Sequence, residues 1–260
     1  MIYDRILLTG AAGLLGGELR KRLAPQVKFL RSTDIADLSG AAPNEELVKA
    51  DLADASRVVE LVKDIDAIVH FGGLSKDADF ADICRVNIIG FQSLYEAARQ
   101  TGVKRVVFAS SVHAIGFYDQ NEVIATNAPL RPDSNYGVAK AFGENLAQLY
   151  WDKYGLETVS IRIGSCEPKP STRRHLLTWL SFDDMCQLVE RSLTAPRVKH
   201  TVIYGASDNA ASFWDNTLAR HIGYRPKDTA DDFRHEILAS DPQPLRDDVV
   251  NRLQGGKFAL

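Results

Sequence analysis

Short apolar runs alternate with amphipathic segments over most of the chain, and this alternation predicts the fold class. The apolar runs are typical of strands buried on both faces, and the segments between them carry apolar residues at helical spacing. The predicted strands are 5–8, 27–32, 47–50, 67–70, 105–109, 157–163 and 200–204, and the main predicted helices are 18–23, 55–62, 80–102, 134–153 and 182–193. Because strands and helices alternate, we predict an α/β protein with a Rossmann-like doubly wound parallel sheet.

We expect two parts in this fold. Residues 1–165 carry the dinucleotide-binding sheet, and residues 166–260 form a smaller substrate-binding cap, from which strand 200–204 returns to the sheet. The pattern of residues 255–260 predicts no element. Sheets of this kind bind ligands beyond the carboxyl ends of their strands, where the strand order reverses, so we expect the site there.

A glycine-rich turn directly follows the first predicted strand. Gly10, Gly13 and Gly16 are spaced three residues apart and lead into a helical segment. At such a turn, free N–H groups and the helix dipole meet a pyrophosphate, and the missing Cβ atoms let it approach. The spacing differs from the G-x-G-x-x-G fingerprint, but its position after a strand favours dinucleotide binding over a turn without a ligand.

An acidic residue, Asp34, ends the second predicted strand. It lies about 20 residues beyond the glycine turn, where a carboxylate can accept hydrogen bonds from the adenosine ribose. The same charge would repel the extra phosphate of NADP, so we predict NAD as the cofactor. Arg31 argues in the other direction, because a nearby guanidinium can accommodate that phosphate.

Tyr136 and Lys140 lie four residues apart in a predicted helix. Residues at this spacing share one helix face, with about 5–6 Å between their Cβ atoms. A phenol has a reference pKa near 10, and an ammonium group beside it favours the phenolate. We therefore predict that Tyr136 takes a proton from an alcohol and that Lys140 lowers the pKa of Tyr136 and reaches a cofactor hydroxyl.

Composition narrows the possible partners and location. The 260 residues are 45% hydrophobic with a net charge of −3, which argues against nucleic acid or an anionic membrane as a partner. No apolar run reaches the roughly 20 residues of a membrane span, and the first strand begins so early that we expect no cleavable signal. We therefore expect a cytoplasmic protein. We predict no metal site, because neither the cysteines (Cys84, Cys166, Cys186) nor the histidines His70, His175, His200, His221 and His235 have ligand spacing.

These motifs together resemble the extended short-chain dehydrogenase/reductase superfamily, which includes sugar-nucleotide epimerases and dehydratases. The resemblance spans residues 5–165 and rests on the glycine turn, Asp34, Asp51-Leu52, Val86-Asn87-Ile88-Ile89-Gly90, Ser111 and Tyr136-x-x-x-Lys140. Within the superfamily, the chain is similar to the uronate dehydrogenases over nearly its whole length, as in Arg162-Ile163-Gly164-Ser165-Cys166 and the tail Leu253-Gln254-Gly255-Gly256-Lys257-Phe258. It departs from several of them at Val112, where an Asn is expected; a sugar contact there would have to come from the backbone or a water.

The resemblance implies oxidation of D-glucuronate or D-galacturonate at C1, with NAD as hydride acceptor and an aldarolactone as first product. It implies Tyr136 as base, Lys140 and Ser111 as further catalytic residues, and Arg174 as the group that binds the substrate carboxylate. The cofactor residues implied are Gly10, Gly13, Leu14, Leu15, Gly16, Asp34, Asp51, Leu52, Phe71, Gly72, Tyr136 and Lys140. The sugar-acid residues implied are Ser75, Ser111, Val112, His113, Tyr136, Ser165 and Arg174.

Two other functions stay open at this point. A sugar-nucleotide epimerase or dehydratase shares Tyr136 and Lys140, but it needs a second pocket for its nucleoside diphosphate, and only 120 residues follow Lys140. A redox-sensing regulator would bind the dinucleotide without needing Ser111, Tyr136 and Lys140. By analogy with proteins of this fold, we expect a homo-oligomer that pairs through helices 80–102 and 134–153.

Overall fold

The computed structural model describes residues 3–241 and 249–260. The strands in chain order are β1 (Arg5–Thr9), β2 (Phe29–Asp34), β3 (Glu45–Lys49), β4 (Ala67–His70), β5 (Arg105–Ser111), β6 (Ile124–Ala125), β7 (Glu157–Ile163), β8 (Ser165–Cys166), β9 (Trp179–Leu180), β10 (His200–Gly205) and β11 (Trp214–Asp215). The α-helices are α1 (Leu14–Leu23), α2 (Ala55–Val62), α3 (Phe80–Ile83), α4 (Gly90–Thr101), α5 (Asn135–Tyr154), α6 (His175–Thr178), α7 (Phe182–Thr194), α8 (Arg234–Ser240) and α9 (Val249–Arg252).

The main sheet has seven strands in the order β10-β7-β5-β4-β1-β2-β3, and its neighbouring strands run parallel. The strand β1 pairs with β2 on one side and with β4 on the other, so the strand order reverses there. The predicted doubly wound parallel sheet is therefore confirmed, and the cleft of a ligand site is expected beyond the carboxyl ends of β1 and β4.

Both faces of the sheet are buried because side chains alternate along each strand. Ile6 and Leu8 of β1 pack in one cluster with the apolar sides of α1 and α7, whereas Leu7 packs in another with α2, α4 and α5. The strand β10 pairs with β7, as predicted for strand 200–204. The division into a larger and a smaller part stays a prediction.

The predicted helix 80–102 is continuous but irregular. Between α3 and α4, residues Cys84–Ile89 wind as a π-helix, and Gly102 ends the helix in the left-handed conformation with φ +79°. Asn87 lies in the π segment and is buried, although a polar residue in a helix is ordinarily exposed. Its side-chain amide accepts a hydrogen bond from Leu74 N and donates one to Leu74 O. The π-helix thus turns Asn87 inward to fix the loop after β4.

The C-terminal tail, for which the sequence predicts no element, packs against the long segment that follows β5. Gln254 is fully buried, and its side chain donates to Asp119 O and Glu122 O and accepts from Trp214 Nε1. Gly255 N donates to Gly116 O at 2.8 Å. These contacts bring the last residues of the chain to the carboxyl edge of the sheet.

None of the helices in residues 3–241 and 249–260 is both long and apolar enough to cross a membrane.

Candidate active site

A cleft of about 860 Å³ opens beyond the carboxyl ends of the central strands. Its lining includes most of the predicted site residues: Gly10, Gly13, Leu14, Leu15, Gly16, Asp34, Asp51, Leu52, Phe71, Gly72, Ser75, Ser111, His113, Tyr136, Lys140 and Ser165. Two predicted residues, Val112 and Arg174, are not part of this lining. The structure therefore brings the predicted cofactor residues and the Ser/Tyr/Lys set to one continuous surface.

The glycine turn has no room for side chains. Gly10 has φ +74°, and a Cβ atom built on it would lie 2.5 Å from Phe71 C. A Cβ atom on Gly16 would overlap Gly10 O. The turn leads into the N-terminus of α1, whose first turn contains no acidic residue. This close packing of backbone against backbone at a helix N-terminus fits a pyrophosphate site.

Two residues of β2, Asp34 and Arg31, favour a ribose with free hydroxyls. Asp34 accepts hydrogen bonds from Ala12 N and Ala36 N, both at 3.0 Å, which hold its carboxylate beside the glycine turn. The guanidinium of Arg31, which could have accommodated an additional phosphate, donates to Glu46 and to Leu61 O instead. Arg31 is therefore engaged elsewhere, which weakens the argument from the sequence that it could favour NADP over NAD.

Asp51 marks the other end of the cofactor half of the cleft. Its carboxylate accepts from Ala53 N at 2.9 Å and pairs with Arg85 at 2.7 Å. The backbone hydrogen bond from Ala53 and the Arg85 guanidinium lower the pKa of Asp51, although partial burial opposes them. Asp51 is thus held as a carboxylate that can accept a hydrogen bond from an adenine amino group.

Tyr136 and Lys140 project from the first turns of α5, which Ser134 caps by accepting from Gly137 N. Lys140 Nζ lies 5.4 Å from the centre of the Tyr136 ring and donates to Ala109 O at 2.6 Å. Burial lowers the pKa of Lys140 to about 8. Burial also raises the pKa of Tyr136 to about 12, with Asp133 adding to the rise and a hydrogen bond with Ser111 opposing it.

The direction of the Tyr136 pKa differs from the sequence prediction. The prediction had the ammonium of Lys140 lower this pKa, but removal of the phenol from water is the largest influence on it and raises it. Two of the three ammonium N–H groups of Lys140 stay available for the cleft, because Ala109 O takes one. The structure thus places Tyr136 and Lys140 side by side at the cleft, as their predicted roles require.

Replacement of Lys140 by Met should stabilise the cofactor-free protein. The Lys140 pKa falls from 10.5 to about 8 on folding, which corresponds to a cost of about 3 kcal/mol for the buried ammonium. Loss of the hydrogen bond to Ala109 offsets part of this gain in stability. We therefore expect the free energy of unfolding of K140M to be about 1–3 kcal/mol higher than that of wild type at about pH 7. A lowered pKa means that the wild-type protein gains stability as pH rises from about 8 to 10.5, so the advantage of K140M should shrink there.

Urea unfolding at about pH 7 and pH 10 measures this difference. Lys153 lies exposed near the end of the same helix, and K153M is the matched control that should change the free energy of unfolding little. If K140M were less stable than wild type at neutral pH, the buried ammonium would not destabilise the folded protein.

The substrate half of the cleft contains Ser111, His113 and Ser165. Ser111 ends β5, is buried, and its Oγ accepts from His113 N at 3.3 Å. Ser165 Oγ shares a hydrogen bond with Thr178 Oγ1 at 2.9 Å. Ser75 is exposed at the cleft wall. The Val112 side chain packs into an apolar cluster with Ile115 and Tyr118, so it cannot bind a sugar hydroxyl.

Arg174 lies behind this wall and is partly buried. Its Nη2 donates to Gln254 O at 2.5 Å, whereas Nη1 is buried with no hydrogen-bond partner among the described residues. Burial lowers the pKa of Arg174 to about 10, with Asp133 opposing, so the guanidinium stays charged at neutral pH. A buried, charged N–H group without a partner is costly, and a bound carboxylate would satisfy it.

The sequence pattern missed two parts of the site. Phe258 of the tail lines the cleft and stacks on His113 with ring centres 3.8 Å apart. Asp133 lies beneath the cleft and accepts from His113 Nδ1 at 2.8 Å. The pair Gly255 and Gly256 was the one signal for a close approach in the tail, and Gly256, at φ +63°, lies against the Arg174 guanidinium.

Comparison with known proteins gives a consistent result. The sequence profile of the NAD-dependent epimerase/dehydratase family matches residues 6–199. A uronate dehydrogenase of Pseudomonas putida is 52% identical over 259 residues, which cover 99% of this chain and 96% of that protein.

Solved structures agree over the same length. The crystal structure of the glucuronic acid dehydrogenase from Chromohalobacter salexigens has a TM-score of 0.97 at 47% identity and covers 99% of this chain and 97% of that one. A mutant uronate dehydrogenase from Agrobacterium tumefaciens in complex with NAD has a TM-score of 0.96 at 49% identity and covers 98% of this chain and 97% of that one.

Proposed function

Because the chain belongs to the NAD-dependent epimerase/dehydratase family and, within it, to the uronate dehydrogenases, we propose that it oxidises hexuronates at C1 with NAD. D-Glucuronate and D-galacturonate are the proposed substrates, and the aldarolactone is the first product. The observation that carries the proposal is the buried Nη1 of Arg174. This charged donor lies behind the wall of a dinucleotide cleft and has no hydrogen-bond partner among residues 3–241 and 249–260.

The glycine turn and the carboxylates beside it would hold NAD. At Gly10, Gly13 and Gly16, backbone N–H groups and the α1 N-terminus would bind the pyrophosphate. Asp34 would bind the ribose and Asp51 the adenine. When bound, NAD supplies the redox chemistry by accepting the hydride that leaves C1.

The protein itself removes one proton. Ser111 and Tyr136 would hydrogen-bond the C1 hydroxyl, and Tyr136, as the phenolate, would accept its proton and become a phenol while C1 becomes a carbonyl carbon. Lys140 stabilises the phenolate and binds the ribose of the nicotinamide. The influence of Ser111 on the pKa of Tyr136 and the position of Lys140 over the Tyr136 ring support these roles. Such a placed base typically contributes about 10²–10⁴-fold to the rate.

The sugar would lie between the C1 contacts and Arg174. In this arrangement Ser75, His113, Ser165 and the Val112 backbone bind its hydroxyls, and the guanidinium of Arg174 binds its carboxylate. A planar guanidinium offers parallel N–H donors that match a carboxylate, which supports the choice of a sugar acid over a neutral sugar.

The epimerase and the regulator are weaker alternatives. An epimerase requires a second pocket for a nucleoside diphosphate, whereas the tail that carries Phe258 takes up space on the substrate side of this cleft. A regulator would not need a buried guanidinium with an unused donor. Neither alternative uses Arg174.

One assay separates these functions. NADH absorbance should rise with glucuronate and galacturonate and stay flat with glucose and UDP-glucose, at matched concentrations. NADP in place of NAD should support little turnover, because Asp34 repels its additional phosphate. Equal rates with glucose would show that the protein does not recognise the substrate carboxylate. Turnover of UDP-glucose without net NADH formation would favour the epimerase.

We further propose that the protein works in the cytoplasm as a homo-oligomer. The two sheet-flanking helices both carry exposed apolar side chains, which a partner subunit could cover, and this supports pairing through them. These side chains are Phe80, Ile89, Val138, Leu149 and Tyr154.

A further inference from the structure

Asp133 is a carboxylate that the cleft wall encloses completely. Its side chain has no exposed surface, and it lies just before α5, between the proposed base and the tail. Its Oδ2 accepts from His113 Nδ1 at 2.8 Å, and its Oδ1 accepts from Ser134 Oγ at 2.9 Å. A buried carboxylate needs such partners, so the surroundings of Asp133 are built for it.

Two glycines from distant parts of the chain make the space for this carboxylate. A Cβ atom on Gly116 or on Gly255 would overlap Asp133 Oδ2. The same two residues are joined by the hydrogen bond from Gly255 N to Gly116 O. The tail therefore closes over Asp133 and holds it against His113.

His113 is fixed on three sides. Its Nδ1 is bonded to Asp133, its ring stacks on Phe258, and its edge meets the Tyr136 ring with centres 5.7 Å apart. The residue lines the cleft, and Nε2 has no hydrogen-bond partner in the part of the chain that the structure describes. Nε2 is thus the one ring nitrogen left for a ligand.

A carboxylate can only accept a hydrogen bond, so the bond to Asp133 requires a proton on Nδ1. A neutral imidazole with that proton presents a lone pair at Nε2. We propose that Asp133 is a positioning residue that holds His113 in this tautomer, so that Nε2 accepts a hydrogen bond from one sugar hydroxyl. The inference rests on the proposed function. It means that Asp133 and His113 together help to select substrates by the positions of their hydroxyl groups.

The first test reads the tautomer directly. In the wild-type protein with ¹⁵N-labelled histidine in alkaline buffer, two-bond ¹H–¹⁵N spectra should show His113 protonated on Nδ1 alone. D133N should move the proton to Nε2 in part or in full, since an amide can donate to Nδ1. H113N identifies the signals of this residue. Protonation of Nε2 in wild type would overturn the inference, whether or not the protein oxidises uronates.

The second test uses glucuronate and its 2-, 3- and 4-deoxy analogues. D133N should lower kcat/KM for glucuronate about 10-fold, the effect of one buried hydrogen bond. The same variant should leave kcat/KM unchanged for the one analogue that lacks the hydroxyl bound by Nε2. H113N should give the same pattern, and it keeps the test valid if D133N does not fold, since its amide can still donate to Asp133.

Asp184 gives a matched control. It is a buried carboxylate on α7, outside the cleft, that accepts from Ser207 Oγ and Lys227 N. D184N should change kcat/KM equally for all four substrates. An equal loss on all of them in D133N as well would mean that Asp133 is merely structural. Absence of wild-type turnover with any hexuronate would instead refute the proposed function, and the spectra would then decide the tautomer alone.

Discussion

Replacement of Tyr136 by Phe should lower kcat for uronate oxidation by about 10²–10⁴-fold while leaving NAD binding nearly unchanged. The ring of Tyr136 keeps its packing against His113 and Phe258 in this variant, so only the hydroxyl that accepts the proton is lost. Initial rates of NADH formation measure the first effect, and quenching of protein fluorescence by NAD measures the second.

The same change should alter the response to pH. Burial raises the pKa of Tyr136 to about 12, so the phenolate fraction, and with it the wild-type rate, should grow as pH rises below that value. Y136F should lose this dependence. Tyr95 offers a control, because its buried hydroxyl bonds to Thr158 near the start of β7, and neither residue lines the cleft. Y95F should retain kcat, and retained turnover in Y136F would remove Tyr136 as the base.

The sheet was predictable because its signals are local. The apolar runs of β4 and β7 coincide with the predicted strands, since a parallel strand buried on both faces needs no partner to be recognised. The turn at Gly10 was predictable for the same reason. Gly10 and Asp34 are brought to one cleft by the strand-order reversal, which follows from the alternation of strands and helices.

The contacts that complete the site come from residues far apart in sequence. Phe258 contacts His113, and more than half of the chain separates these two residues. Gln254 contacts Arg174, and about a third of the chain separates them. No periodicity links such pairs, so the tail could not be assigned from its pattern. The rise in the Tyr136 pKa was missed for a related reason, because residues distant in sequence, such as Ile83 and Phe258, pack against the ring and bury it.

Replacement of Arg174 by Ala should raise KM for glucuronate far more than it affects slow turnover of a neutral sugar, with a loss of about 10²–10³-fold in kcat/KM for the uronate. Loss of one partner of a buried charge pair costs about 2–5 kcal/mol, because the other charge stays buried and unpaired. Steady-state kinetics with glucuronate and with glucose at high concentration give the ratio. R174K should recover only part of the loss, because an ammonium keeps the charge but lacks the planar fork.

Arg173, the neighbouring arginine in the sequence, is the matched control for R174A. Its guanidinium donates to Asp241 O and Leu238 O, on the side away from the cleft. R173A should therefore leave the ratio of kcat/KM for glucuronate and glucose unchanged, even if it lowers stability. An equal loss on both sugars in R174A would make Arg174 a support for the tail through Gln254 O. A loss confined to the uronate would instead assign its unpartnered Nη1 to the substrate carboxylate.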